Sequence, residues 1–440
     1  MSTTLDALVQ ELSKQLDDYW RSTTTSEHAT TPTYALVDTA LCEKQSDWVS
    51  NGSSGDTPST VYIATAGGAA PEGQERVVNT LTIGSGTLTT TTARPFTAKI
   101  ESGDTYEIHR LFTRAEKERA IQYACYSSFP NLYKKISDES IRIGSWIRDG
   151  GFIVWTNSTT PTYWAKTGAG FVTTQTTTKP NIYREGRTSC GLSGAVGYIY
   201  QSPTENPDLI FLAGKTPTVK IRARTGAASQ IRLAIYDGAT TTYSSYHAGD
   251  SSWGDITDPI YVSATIPDNP STVQIRVYYD SAASPAYIDE VWIEGVGEHY
   301  TYDISGLGLY QNQPSQVLQI LDDQYARSDF VRLHNWESPT VDGKLRFRGR
   351  TMPADGSLLR ITGMGYLSSP TTAAGTTEAD APQTQIIVAE SAVYLYDLLI
   401  NKSPAQDIGR FEAAKQRWTQ LSMQRRIQFG MPQPAGTLIY

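Results

Sequence analysis

Residues 218–238 read TVKIRARTGAASQIRLAIYDG, and they decide the fold. Val219, Ile221 and Ala223 alternate with Lys220, Arg222 and Arg224. After the small-residue stretch GAAS, Ile231, Leu233 and Ile235 alternate with Arg232, Ala234 and Tyr236. A period of two places one set on each face of an extended strand, and no helical period fits. Working outward, IYVSATIP (260–267), TVQIRVYYD (272–280) and AYIDEVWIEG (286–295) repeat the pattern, with turn signals between them. This spacing is that of an antiparallel sandwich or jelly roll. Asp289 and Glu290 are adjacent on a strand, so their carboxylates are expected on opposite faces and not in one site.

The texture changes on both sides. Leu5, Leu8, Val9, Leu12, Leu16 and Tyr19 recur at helical spacing behind a Thr3 or Thr4 cap, which assigns 1–30 to an N-terminal helix. Residues 31–112 read as a small β-domain. Thr113 and Glu116 have capping-box spacing, so 113–149 is a central helical segment, with its helix running to about Tyr126. The jelly roll takes 150–297, a mixed β segment 298–368 and a Thr/Ala-rich linker 369–382. A C-terminal helical hairpin follows over 383–429. Its stripes are Val388, Ala392, Leu395 and Leu399, then Ile408, Phe411, Ala414, Trp418 and Leu421. Residues 430–440, GMPQPAGTLIY, form an extended tail. The fold class is α+β: a helical framework and a small β-domain, carrying an inserted antiparallel sandwich.

The chain has 440 residues and a net charge of −8, which argues against nucleic acid binding over the whole surface. Tyr (26) far outnumbers Phe (10), with Trp at 9, a bias that suits sheets and half-exposed surfaces. Cys42, Cys125 and Cys190 are too sparse for a disulfide framework. No leader and no apolar run long enough to cross a membrane is expected. Enzyme motifs fail. AGKT (213–216) lacks the earlier glycine of a P-loop, GLSGA around Ser193 has its glycine misplaced for a nucleophile elbow, and no HExxH or CxxC occurs. The five histidines have no metal-ligand spacing. No catalytic residue, cofactor site or metal site is assigned.

Two resemblances extend this reading. GGFIVWTNSTTPTYWAKTG (150–168), GRTSCGLSGAVGYIYQS (186–202), residues 212–238, YSSYHAGDSSWGDIT (243–257) and AYIDEVWIEG resemble the jelly-roll carbohydrate-binding modules found beside glycosidases. The resemblance implies aromatic side chains stacking on sugar, with Trp155, Trp164 and Trp253 as candidates. It also implies a possible calcium ligand near Asp289, although one carboxylate is far short of calcium's six or more oxygens. Residues 105–136 and 386–436 resemble tailed-bacteriophage neck proteins, the adaptors that dock below the portal. That implies a virion subunit with portal protein and other neck or tail subunits as partners, in a homo-oligomeric ring of about twelve copies.

Between Asn401 and Phe429 there are six Lys or Arg and two acids. Lys415, Arg425 and Arg426 are therefore candidates for contact with the portal or with packaged DNA. Leu438, Ile439 and Tyr440 are candidates for tail docking. The expected function is a structural adaptor of a phage neck, made in the host cytoplasm and assembled at the head–tail interface. Its jelly roll would face outward for lateral contacts or glycan adhesion. The alternatives are a host-glycan-binding tail protein and a polysaccharide-degrading enzyme.

Overall fold

The computed structural model describes residues 2–27, 35–45, 48–52, 58–67, 71–182, 188–253, 259–296, 301–320, 330–340, 342–348, 357–402 and 405–432. The chain divides into two compact units. One holds Met1–Lys134 and the returning chain from Tyr366, and the other holds Lys135–Gly365.

The second unit is dominated by a sandwich, with ten strands among the described residues. These are β1 (Ala165–Thr167), β2 (Phe171–Thr176), β3 (Ser189–Gly194), β4 (Gly197–Gln201), β5 (Thr218–Thr225), β6 (Ile231–Tyr236), β7 (Thr241–Tyr243), β8 (Ile260–Ser263), β9 (Gln274–Tyr279) and β10 (Ala286–Glu294). The front sheet runs β1-β4-β9-β6-β7 and the back sheet β2-β3-β10-β5-β8. Described pairings are antiparallel, and only β2–β3 and β6–β7 are consecutive strands within one sheet. Crossing between sheets at most connections is the topology of a jelly roll. The alternating runs of 218–225 and 231–236, β5 and β6, lie in opposite sheets. Their apolar sets (Val219, Ile221, Ala223; Ile231, Leu233, Ile235) meet in one core with Ile199, Ile275, Val277, Ile288 and Ile293.

A bulge on β10 alters one expectation. Lys220 faces Trp292 and Arg222 faces Asp289, so Glu290 and Val291 together oppose Ile221. Glu290 takes φ 48°, a left-handed conformation that turns its side chain back to the face of Asp289. Both acids are buried on the outer side of the back sheet. Glu290 accepts from Arg142 at 2.7 Å and from Arg222 at 3.2 Å. The segment carrying Arg142 covers this face: Val291 N–H donates to Gly150 O at 2.9 Å. A Cβ at Gly150 would meet Val291 O at 2.0 Å, so only glycine allows that approach.

The rest of the second unit is a smaller β-body whose core joins Ile143, Tyr302, Ile304, Val317, Leu345, Leu359 and Ile361. Here residues 134–149 depart from the helical expectation: Lys134–Asp138 is a strand beside Leu358–Gly365. Pro130, with no N–H to donate, lies just past the preceding helix, and Ile136 and Ile141 then pack on the β-core.

Among the described residues the first unit holds four α-helices: α1 (Leu5–Leu16), α2 (Arg114–Ser127), α3 (Ala381–Lys402) and α4 (Ala405–Phe429). Thr4 caps α1 and the Thr113–Glu116 capping box opens α2. Leu8, Leu12, Ile121, Ala124, Val388, Leu395 and Phe411 share one core. α1 is shorter than 1–30. Asp17, at φ 54°, ends it, and Tyr19–Thr23 is a strand. Asp18 fixes that exit by accepting from Phe112 N–H at 3.0 Å and Lys117 Nζ at 2.5 Å. The strand joins a six-stranded antiparallel sheet in the order 19–23, 105–109, 60–65, 75–82, 87–90, 35–37. A bridge between Ser26 and Val37 brings its two ends together. The linker expected at 369–382 is tied down as well: Thr376–Thr377 pairs with Thr3–Thr4, and Leu5 N–H donates to Gly375 O at 2.9 Å.

Candidate functional site

The outward face of the front sheet carries the most developed surface of the jelly roll. The inward residues of β4, β9 and β6 (Ile199, Ile275, Val277, Leu233, Ile235) are core, so Tyr198, Tyr200, Arg276, Tyr278, Arg232 and Tyr236 point outward. Register sets them in rows across the strands. One row reads Thr167, Tyr198, Tyr278, Arg232. The next reads Ala165, Tyr200, Arg276, Ala234, Tyr243. Ala234 is fully buried at the centre, roofed by its larger neighbours.

The rings touch. Tyr198 and Tyr278 have centroids 4.7 Å apart, Tyr198 and Tyr200 5.7 Å, and Tyr243 and Tyr278 5.4 Å. Arg232 lies 3.9 Å over Tyr243 and Arg276 4.0 Å over Tyr236. Each ring pair adds about 0.5–1.5 kcal/mol beyond area burial, and each exposed cation–π contact about 0.5–1 kcal/mol. The face is therefore pre-ordered. Arg232 pairs with Asp280 at 2.6 Å, and Tyr246 Oη donates to the same carboxylate at 2.9 Å. Partial burial, then contact with Tyr278, pushes the Tyr243 hydroxyl up. Partial burial, then Asp280, does the same to Tyr246. Both phenols are neutral donors at pH 7. Tyr243 and Tyr246 remain 43% and 39% exposed, so the surface is open to a ligand.

Tyr246 also belongs to a cleft of about 610 Å³ at the sandwich edge, lined by His247, Asp250, Trp253, Ile260 and Tyr261. Burial holds the His247 imidazole below its ordinary value, and its Nδ1 accepts from Gly249 N–H at 3.0 Å.

The three tryptophans named from sequence fall in different places. Trp164 is 4% exposed, 5.1 Å from Phe152, with Nε1 donating to Asp149 O at 3.1 Å. No sugar reaches it there, because its ring is part of the core. Trp155 is half-buried against that core and donates to Phe152 O at 2.6 Å. Trp253 lines the edge cleft and donates to Pro180 O at 3.0 Å. The tyrosine face was not singled out from sequence. Its signal was present in the outward phases of GYIYQ, QIRVYY and IRLAIY, and in the excess of tyrosine over phenylalanine.

The three candidate basic residues of the C-terminal helix are engaged within their own unit. Lys415 pairs with Asp397 at 2.5 Å and Arg426 with Glu390 at 2.8 Å, both acids on α3. Arg425 donates to Gln385 O and Gln15 Oε1, each at 2.9 Å. Leu438, Ile439 and Tyr440 lie outside the described residues. Among the described residues, no group of three or more His, Cys, Asp or Glu is placed to hold a metal ion. Asp289, the position a calcium ligand would take by resemblance, is buried beside the Glu290–arginine cluster. No described helix is long and apolar enough to cross a membrane.

No protein-family profile matches the chain, and no curated protein matches it. Among solved structures, the CBM22-1 xylan-binding domain of Paenibacillus barcinonensis Xyn10C is similar at 14% identity and TM-score 0.27, over 38% of this chain and 99% of that domain. The TmCBM61 module, solved with β-1,4-galactotriose, is similar at 14% identity and TM-score 0.24, over 34% of this chain and 97% of that module. The enzymatically active domain of tailspike protein 4 from bacteriophage CBA120 is similar at 16% identity and TM-score 0.25, over 36% of this chain and 21% of that one.

Proposed function

We propose that this protein binds polysaccharide on the tyrosine face of its jelly roll, without cleaving it. The observation that carries the reading is the ordered lattice of Tyr198, Tyr200, Tyr278, Tyr236 and Tyr243 on one open sheet face. The C–H face of a pyranose buries apolar area against such rings while its hydroxyls stay wet. Tyrosine supplies broad, rigid contact at low entropic cost and adds a hydroxyl for hydrogen bonding. Neighbouring strands lie about 4.8 Å apart, so a sugar chain crossing them meets successive rings. Asp280, the acid on the rim of the face, is held by Arg232 and Tyr246, which fits a positioning role.

The test is affinity electrophoresis of the full chain through gels containing plant, bacterial cell-wall and capsular polysaccharides, followed by product analysis. The reading expects retardation by at least one polymer and no new reducing ends. Unretarded migration on every polymer counts against it.

For the setting we propose a phage virion, with the sugar-binding face outward and the four helices packing against neighbouring virion subunits such as the portal. The sequence resemblance of residues 105–136 and 386–436 supports this, together with the shared core of α1–α4. Mass spectrometry of purified virions, with imaging of the neck, tests it. Absence of the chain from virions rules this setting out and leaves the sugar-binding reading intact. Tyr- and Arg-rich patches also serve as centres of protein interfaces. The same face is therefore the surface for lateral contact if no polymer binds and the protein self-associates.

A further inference from the structure

We infer that the polysaccharide recognised by the tyrosine face carries carboxylates, with Arg276 as the residue that reads them. The inference rests on the glycan-binding reading and adds the charge of the ligand.

Arg276 stands in the middle of the lattice, between Tyr200 on β4 and Ala234 on β6. Its guanidinium is fixed from several sides. Nε donates to Gln274 Oε1 at 2.8 Å and Nη1 to Tyr278 Oη at 3.1 Å. The group also lies 4.0 Å over Tyr236 and 5.0 Å from the Tyr198 ring centre.

Every one of these partners is neutral. Among the described residues no carboxylate pairs with Arg276. Three other cations of the same sandwich do have acids, Arg222 with Glu290, Arg232 with Asp280 and Lys220 with Glu294, while Arg224, away from the tyrosine face, donates to Ser251 O and Asn181 Oδ1. The nearby acids are engaged elsewhere. Asp280 serves Arg232 and Tyr246, and Asp237 accepts from the Ala239 and Thr240 N–H groups of its turn.

A guanidinium has five N–H donors in a planar fork. Two are used here, which leaves three, including both on Nη2. A positive charge partly desolvated by flanking rings and answered by no acid favours an anionic ligand. The planar fork matches a carboxylate bidentately. Rings lie on both sides of it, so a sugar stacked on Tyr198 and Tyr278 brings a carboxylate on the same or the next residue to Arg276. Uronic and sialic acids are sugars of that chemistry.

The experiment titrates the full chain with polygalacturonate, alginate, hyaluronate and polysialate, each beside its carboxyl-reduced derivative, and with dextran sulfate. Wild type is expected to bind at least one acidic polymer about tenfold to a hundredfold tighter than its reduced form, the range of a charge-assisted hydrogen-bonded pair. Arg276→Gln should weaken binding of the acidic form at least tenfold more than binding of the reduced form, so that the difference between the two collapses in a variant that still unfolds cooperatively. Arg276→Lys, which keeps the charge and loses the fork, should fall between. Equal affinity of wild type for acidic and reduced polymers overturns the inference, and so does dextran sulfate binding as tightly as the best carboxylated polymer. In either case ring stacking stands if Tyr198→Ala weakens both forms together. No binding to any polymer overturns the inference and the reading beneath it.

Discussion

At the scale of single residues, burial separates aromatics that hold the sandwich from aromatics that can meet a ligand. Trp164 is enclosed by the core and tied to Asp149 O, whereas Tyr198, Tyr200, Tyr236 and Tyr278 on the outward face of the front sheet are half-buried and Tyr243 is exposed. Trp164→Ala should destabilise the fold by about 3–5 kcal/mol, the range for truncating a buried large aromatic. Denaturant unfolding reads it, and ligand affinity of the folded fraction should not change.

A second residue-scale consequence concerns pH. His109 is buried with Lys117 Nζ 3.0 Å from its Nδ1, and burial followed by that ammonium holds its imidazole below the ordinary value. The unfolded chain takes up this proton below about pH 6.5 and the folded chain only at lower pH. Between those points the unfolded state binds more protons, so stability falls as pH drops from about 6.5. Burial would raise the pKa of Glu107, but His109 and Arg114 outweigh it and hold the carboxyl below its ordinary value. Its contribution is present above about pH 4.5 and is lost as pH falls through its folded value. Thermal melts from pH 7.5 to 4 should show the first unit losing stability on acidification, and His109→Gln should flatten the upper part of that slope. An unchanged slope in the variant would assign the loss to other groups.

At the scale of elements, the bulge in β10 is the feature that alternation could not reveal. A period of two separates Asp289 from Glu290, and the strand obeys that period at Ile288 and again at Ile293. One extra residue at φ 48° resets the phase between them, and nothing in IDEVWI announces it. The outcome is a buried carboxylate shared by Arg142 and Arg222, with both guanidiniums near the Trp292 ring. Glu290→Ala leaves two buried cations without it and should cost about 3–5 kcal/mol, measured by urea unfolding. A loss under 1 kcal/mol would mean that solvent reaches the cluster and screens it.

The same contrast runs through the other elements. Helices α1 and α2 were legible because caps and stripes are local signals. Residues 134–138 and 376–377 were not, because their strand partners lie more than two hundred residues away. The tyrosine face was half legible: its phase could be read from each strand, but the rows depend on register between strands that are not consecutive. The tryptophans are the more conspicuous residues in the sequence, since residue type is visible there and burial is not.

At the scale of the whole molecule, the sandwich does not end where its strand pattern ends. Arg142, Trp146 and Ile147 precede residue 150, yet they pair with Glu290 or pack on the jelly-roll core. An excised fragment 138–297 should therefore unfold cooperatively and at a higher temperature than fragment 150–297, which leaves the back-sheet cluster uncovered. Equal melting temperatures would show that the covering segment adds nothing.

The central claim is that the front sheet's tyrosine lattice is a sugar-binding surface. It is tested most directly by titrating the full chain, wild type and the Tyr198→Ala, Tyr278→Ala double variant, with a polysaccharide that retards the wild type. The two rings lie tilted, with centroids 4.7 Å apart, near the middle of the lattice. Losing both should weaken binding at least tenfold in a variant that still unfolds cooperatively, since the rings are half-exposed and outside the core. Undiminished affinity in a folded double variant would place the sugar elsewhere and contradict the account.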